Sequence, residues 1–115
     1  MLQLYIYGSG GWAARVINIL KFAPQIEIVA VVGSNKEHIY GYIVEQFSEQ
    51  KLVERASEPF SCIYFCSHPA KQWRYFVILL NNLQGGRLKA RLVLEKPICL
   101  NSSNSNNILE LCSRA

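Results

Sequence analysis

At 115 residues the chain has room for one domain. Half of it is apolar and 17% is charged, which fits a packed core and excludes intrinsic disorder. The net charge of +4 is scattered between Arg15 and Arg114 with no run of cations, so it makes no case for nucleic acid and suits a phosphate-bearing small ligand equally well.

Leu2 to Tyr7 is an apolar run rich in β-forming residues and stopped by Gly8; it predicts a strand. Ala13, Val16, Ile17 and Leu20 fall at i, i+3, i+4 and i+7 and predict a helix, which Pro24 closes. Ile26 to Val32 is nearly all apolar, as expected of a parallel strand covered on both faces. Gly33-Ser34-Asn35 ends it, and Ser34 or Asn35 could cap a following helix. Tyr40, Ile43, Val44 and Phe47 repeat the helical spacing, weakened by Gly41. Lys51 to Val53 reads as a poor edge strand, Ser57-Glu58-Pro59 as a turn, and Cys62 to Cys66 as a buried strand. Pro69 to Leu83 predicts a helix with Trp73, Phe76, Val77 and Leu80 on one face and Gly85-Gly86 past its end. Ala90 to Leu94 is a strand ended by Pro97, and Ile108, Leu111, Cys112 and Ala115 mark a last helix entered through Asn101 to Asn107. Strands alternating with helices imply an α/β fold: a doubly wound, Rossmann-like parallel sheet of about five strands with helices on both faces, because parallel strands need crossover connections.

Cys62, Cys66, Cys99 and Cys112 form no C-x-x-C pair, and neither histidine stands at a zinc-like spacing from them, so no metal site is expected. Cys62 and Cys66 share one strand face and read as buried thiols. The N-terminus lacks a basic segment and its apolar stretch ends at Tyr7, unlike a signal peptide, and no apolar run has bilayer length. A cytoplasmic protein without a membrane partner is the expectation.

Gly8-Ser9-Gly10-Gly11-Trp12-Ala13 matches G-x-G-x-x-A between a predicted strand and a predicted helix. Gly8 permits the tight turn, Gly10 lets the backbone approach a pyrophosphate, and Ala13 lets the helix pack close on the sheet. The helix N-terminus then offers free N–H groups and a positive dipole end. A structural turn that binds nothing is the competing reading. At the end of the second strand an acid would accept bonds from the adenine ribose. This chain has Gly33, Ser34, Asn35 and Lys36, small polar residues and a cation that suit a 2′-phosphate, so NADP is expected ahead of NAD. Ser34 and Asn35 as a plain helix cap, with Lys36 a solvated charge, is the alternative.

Glu95-Lys96-Pro97 follows the last clear strand. With the glycine turn and the spacing between them, it resembles the Gfo/Idh/MocA family, the glucose–fructose oxidoreductase and inositol dehydrogenase group. The resemblance implies that Lys96 is catalytic at the nicotinamide and that Glu95 lies near the nicotinamide ribose. It also implies that the loop Cys66-Ser67-His68-Pro69 packs against the cofactor. Here the proline comes one place late and the family's later histidine position holds Gln72, so His68 is read as a loop or cap residue. Family members carry a second domain that builds the substrate pocket, and the chain stops at Ala115 before it.

Three possibilities follow. The chain is the dinucleotide-binding part of an oxidoreductase acting on a sugar, cyclitol or related polyol, not catalytic alone. Alternatively it is a stand-alone nucleotide-binding or redox-sensing module working with another chain, or a non-catalytic interaction domain. Ala90 to Leu94 would present an unpaired edge that favours a homo-oligomer.

Overall fold

Leu2–Tyr7 forms β1, an interior strand whose apolar side chains alternate: Leu4 and Ile6 face one side of the sheet, Tyr5 and Tyr7 the other, and all four are buried. The computed structural model describes residues 2–34, 37–83 and 86–94. After β1 come α1 (Gly11–Leu20), β2 (Ile26–Val32), β3 (His38–Ile39), β4 (Tyr42–Glu45), α2 (Glu49–Ala56), β5 (Ser61–Phe65), α3 (Pro69–Asn82) and β6 (Arg91–Leu94). The described residues form a mixed α/β structure on one six-stranded sheet, order β3-β4-β2-β1-β5-β6. Every pairing is parallel except β3 with β4. Among them no helix is long and apolar enough to cross a membrane.

Two packed layers hold the sheet. Ala13, Val16 and Ile17 of α1 bury against Leu4, Ile6, Ile28, Val31 and Cys62 on one face. On the other, Leu52 and Ala56 of α2 and Tyr75, Phe76 and Leu79 of α3 bury against Tyr5, Tyr7, Ile63 and Phe65. Each fully buried Ile, Leu or Phe among these contributes about 1.5–3 kcal/mol relative to exposure. Cys62 and Cys66 lie in the α1-side layer, on the shared face that their four-residue spacing requires, and burial pushes the Cys62 thiol up from its ordinary pKa.

The segment between β2 and β5 departs from the sequence reading. The helix expected from Tyr40, Ile43, Val44 and Phe47 is a β-hairpin. Ile39 pairs with Tyr42 across Tyr40-Gly41, whose φ values of 47° and 86° are both positive, as in a type I′ turn. The β-branched and aromatic residues on each side prefer strand, and a coincidental 3–4 spacing does not outweigh that preference. The edge strand expected at Lys51 to Val53 is instead the middle of α2. Ser48 caps that helix by accepting from Lys51 N, Glu49 sits in its first turn and Arg55 in its last, each favourable to the helix dipole.

Two smaller differences concern packing. β2 is covered on both faces only toward its carboxyl end; a register shift opposite Leu4/Tyr5 leaves Val29 exposed. The buried stripe of α3 is Gln72, Tyr75, Phe76 and Leu79, one residue around from the expected face, with Trp73 and Leu80 half-buried beside it. The last helix expected at Ile108 to Ala115 lies outside the described residues, as does the polar stretch before it.

Candidate functional site

The chain leaves β1 in opposite directions: through α1 to β2 on one side, and, after α2, to β5 on the other. Because α1 covers one face and α3 the other, the loops after β1 and β5 diverge beyond their contact at Gly8 and Cys66 and leave a crevice at the carboxyl end of the sheet. A cavity of about 180 Å³ occupies it. Gly8, Ser9 and Gly10 form one wall, Gly33 a second, and Cys66, Ser67 and His68 a third. Lys71 and Tyr75, one turn apart on α3, complete it.

Backbone hydrogen bonds fix the rim. Gly8 N donates to Val32 O (2.8 Å), Gly33 N to Glu45 O (3.0 Å) and Cys66 N to Tyr7 O (2.9 Å). Ser67 Oγ also donates to Tyr7 O, at 2.7 Å. Gly8 has φ +153°, and a Cβ there would lie 2.7 Å from Cys66 O. Its glycine is required by the approach of the β5 loop to the β1 turn.

Gly10 is different. It caps α1 at φ −83°, a conformation any residue adopts, and a Cβ there would meet no described atom within 4 Å. Neither backbone strain nor internal packing among the described residues requires glycine at this position. The first intrahelical bond of α1 runs from Ala14 N to Gly10 O, so the N–H groups of Gly11, Trp12 and Ala13 precede the helix's own ladder.

Electrostatics favour an anion. Neither α1 nor α3 has an acidic residue in its first turn, where the helix dipole would welcome one. α3 instead carries Lys71 there, exposed at the rim of the cavity. His68 is the N-cap of α3: its Nδ1 accepts from Ala70 N at 3.1 Å. Gln72 is fully buried below the loop, its Nε2 donating to Ser67 O at 2.8 Å, while its Oε1 has no partner among the described residues.

The wall formed by Tyr75 is braced from beneath. The Tyr75 ring packs edge-on against Tyr7 (5.5 Å between centroids) and near-parallel to Phe65. Arg55 holds Tyr7 from the other side, donating to its Oη at 3.2 Å while gripping Glu45 with both nitrogens at 2.7 and 3.1 Å. Lys51 adds a second cation on Glu45 at 2.9 Å. Burial opposes the charge on Arg55, but the bonds from Glu45 and Tyr7 outweigh it and raise its pKa. The Arg55 bond in turn holds the Glu45 carboxyl below its ordinary range. Burial pushes the Tyr75 phenol up, so it stays neutral at ordinary pH.

Of the residues singled out by sequence, Gly8, Ser9, Gly10, Gly33, Cys66, Ser67 and His68 come together in this one cavity. Gly11 starts α1, and Ala13 is wholly buried against the sheet. The Trp12 side chain points elsewhere, into an apolar groove of about 300 Å³ beside Val16, Ile19 and Tyr64, so only its backbone N–H is at the turn. Ser34 is exposed just past Gly33. Asn35, Lys36, Glu95 and Lys96 lie outside the described residues. Lys71 and Tyr75 were not found by sequence reasoning. A cation in the first turn of a helix without an acid nearby is the signal that could have revealed Lys71. Compared with protein-family models and with curated proteins, the chain matches none.

Proposed function

We propose that this chain binds a nicotinamide dinucleotide, NADP ahead of NAD, in the crevice at the carboxyl end of its sheet, as a Rossmann-like nucleotide-binding domain. The observation that carries the reading is Gly10. A glycine demanded neither by its φ nor by its described neighbours, at a helix N-terminus above a cavity rimmed by Lys71, is suited to a ligand that must come close to the backbone. The N–H groups of Gly11, Trp12 and Ala13 would hold the pyrophosphate, and Lys71 would add a cation at the opposite wall. A half-open cavity of about 180 Å³ is small against the roughly 300–1,000 Å³ of ligand pockets, so it suits a phosphate-bearing segment, with the remainder of the ligand along the crevice.

The oxidoreductase role, on a sugar, cyclitol or related polyol, rests on the resemblance carried by Glu95-Lys96-Pro97, with Lys96 as the catalytic group. A bound nicotinamide would supply hydride exchange, and this chain's described residues would hold the phosphates of its dinucleotide. The substrate pocket would come from a second domain or chain.

Titration with NADPH and NADH, followed by calorimetry, tests the binding. Saturable binding of NADPH is expected, lost in Gly10→Val, which should still fold because a Cβ there meets no described atom within 4 Å, with stability lowered by about the 1 kcal/mol that a disfavoured N-cap residue costs. Absence of saturable binding by the parent, or undiminished binding by a folded Gly10→Val, would sink the reading.

A further inference from the structure

Position 33 directly follows β2 and lies 20 residues past Ala13 in the chain. In an NAD site this is where a carboxylate accepts bonds from the adenine-ribose hydroxyls. Here it is glycine, and a side chain there would collide with Ser9. A Cβ on Gly33 would fall 2.1 Å from Ser9 Oγ and 2.4 Å from Ser9 Cβ. Turning the Ser9 rotamer would move Oγ, but Cβ is set by the backbone and stays. Gly33 is not among the glycines with positive φ, so conformation is not the reason for it.

Neither backbone can retreat easily. Ser9 is 5% exposed. It is fixed between Gly8, whose N–H is bonded to Val32 O, and Gly10, whose carbonyl accepts the first bond of α1. Gly33 is anchored to Glu45 O. The two positions therefore compete for one volume at the ribose end of the crevice.

We infer that Ser9 is a specificity-determining residue: by filling the space that a residue-33 side chain needs, it keeps the end of β2 free of a carboxylate. The inference rests on the dinucleotide reading of the crevice and names the ligand class within it. An acid at position 33 would accept from a 2′-hydroxyl and repel a 2′-phosphate. With Ser9 seated there, the ligand bearing the 2′-phosphate meets no such repulsion, and the ligand with a free 2′-hydroxyl finds no acceptor at position 33. The middle residue of the glycine turn thus sets, through sterics, the chemistry at the end of the neighbouring strand.

The test is a set of four proteins: the parent, Gly33→Asp, Ser9→Gly and the double variant, each melted without ligand and titrated with NADPH and NADH. Gly33→Asp alone is expected to melt well below the parent, and the double variant to recover most of the loss. The ratio of NADPH to NADH affinity should fall by about tenfold or more from the parent to the double variant, as the acid gains its place. If Gly33→Asp melts like the parent, or Ser9→Gly does not rescue it, the steric coupling is wrong. A rescued double variant whose nucleotide ratio is unchanged overturns the specificity role of Ser9. If the coupling appears in the melts but the parent binds neither nucleotide, the dinucleotide reading fails and takes the specificity claim with it, leaving the packing result intact.

Discussion

Replacing Gly8 by alanine would place a methyl group where β1 and the loop after β5 meet. The new Cβ would lie 2.7 Å from Cys66 O, 2.9 Å from Cys66 C and 3.1 Å from Cys66 Cβ, with φ at +153°. Both backbones are pinned, Gly8 through Val32 O and Cys66 through Tyr7 O, so the contact cannot open without loosening the two central strand pairings. Holding a non-glycine residue in such a conformation costs about 1–3 kcal/mol. Overpacking against fixed backbone adds roughly 1–3 kcal/mol more. At about 4–8 °C per kcal/mol for a small domain, the melting temperature should drop by at least about 10 °C. Thermal unfolding followed by far-UV circular dichroism measures it, with urea titration as a check. A Gly8→Ala protein melting within about 3 °C of the parent would refute the argument, since it would mean the strand ends are free to separate.

Two further outcomes follow from groups around the site. Because the Arg55 bond lowers the pKa of Glu45, the folded state gains stability from its carboxylate at pH values above the unfolded pKa, and loses it as pH falls through the lowered folded pKa. Melting temperature should therefore decline on the acid side of about pH 4.5 with a slope that is shallower in Glu45→Gln, which should also be about 1 kcal/mol less stable at pH 7 given the partial exposure of the pair; equal slopes in both proteins would contradict the assignment. At Gln72, leucine removes the unpartnered Oε1 but also the donor to Ser67 O, so Gln72→Leu should stay within about 1 kcal/mol of the parent in urea unfolding, whereas Gln72→Ala opens a cavity and should lose about 2 kcal/mol or more. An alanine variant as stable as the leucine variant would show that the side chain is not packed as described.

Most of the sheet was legible because its strands are unambiguous: Leu2–Tyr7, Ile26–Val32 and Ser61–Phe65 are apolar, β-forming and bounded by turn residues. α1 was legible because Ala13, Val16 and Ile17 keep the helical spacing of a buried face, even though Trp12 and Ile19 lie exposed off it. The stretch from His38 to Ala56 misleads because its apolar spacing and its residue propensities point to different elements. Tyr40-Gly41 between β-branched and aromatic neighbours is a hairpin signal, and Ser48 ahead of Glu-Gln-Lys is a helix start carrying only a narrow apolar face, Leu52 and Ala56. The buried side of α3 was misplaced for the opposite reason. From Trp73 to Leu80 nearly every residue is apolar, so spacing alone does not choose a face; the polar Gln72 lies inside because Ser67 O is there to receive its Nε2. The network of Glu45, Lys51 and Arg55 was invisible to sequence reasoning once its two elements had been exchanged.

Three glycines around the crevice are present for three different reasons, and this decides what evidence each can give. Gly8 is fixed by the carbonyl of Cys66, and Gly33 by the side chain of Ser9, so both report on how the chain packs with itself. Of the three, only Gly10 faces space that the described residues leave open, as does Gly11 beside it at the start of α1. Loss of nucleotide binding on changing Gly8 would thus be uninformative, because the strand ends that shape the crevice would move with it. The same loss on changing Gly10, in a protein that still folds, is attributable to the ligand's approach. The Gly-x-Gly turn supports a dinucleotide site here through its second glycine alone, and the first glycine would be needed even by a domain that bound nothing.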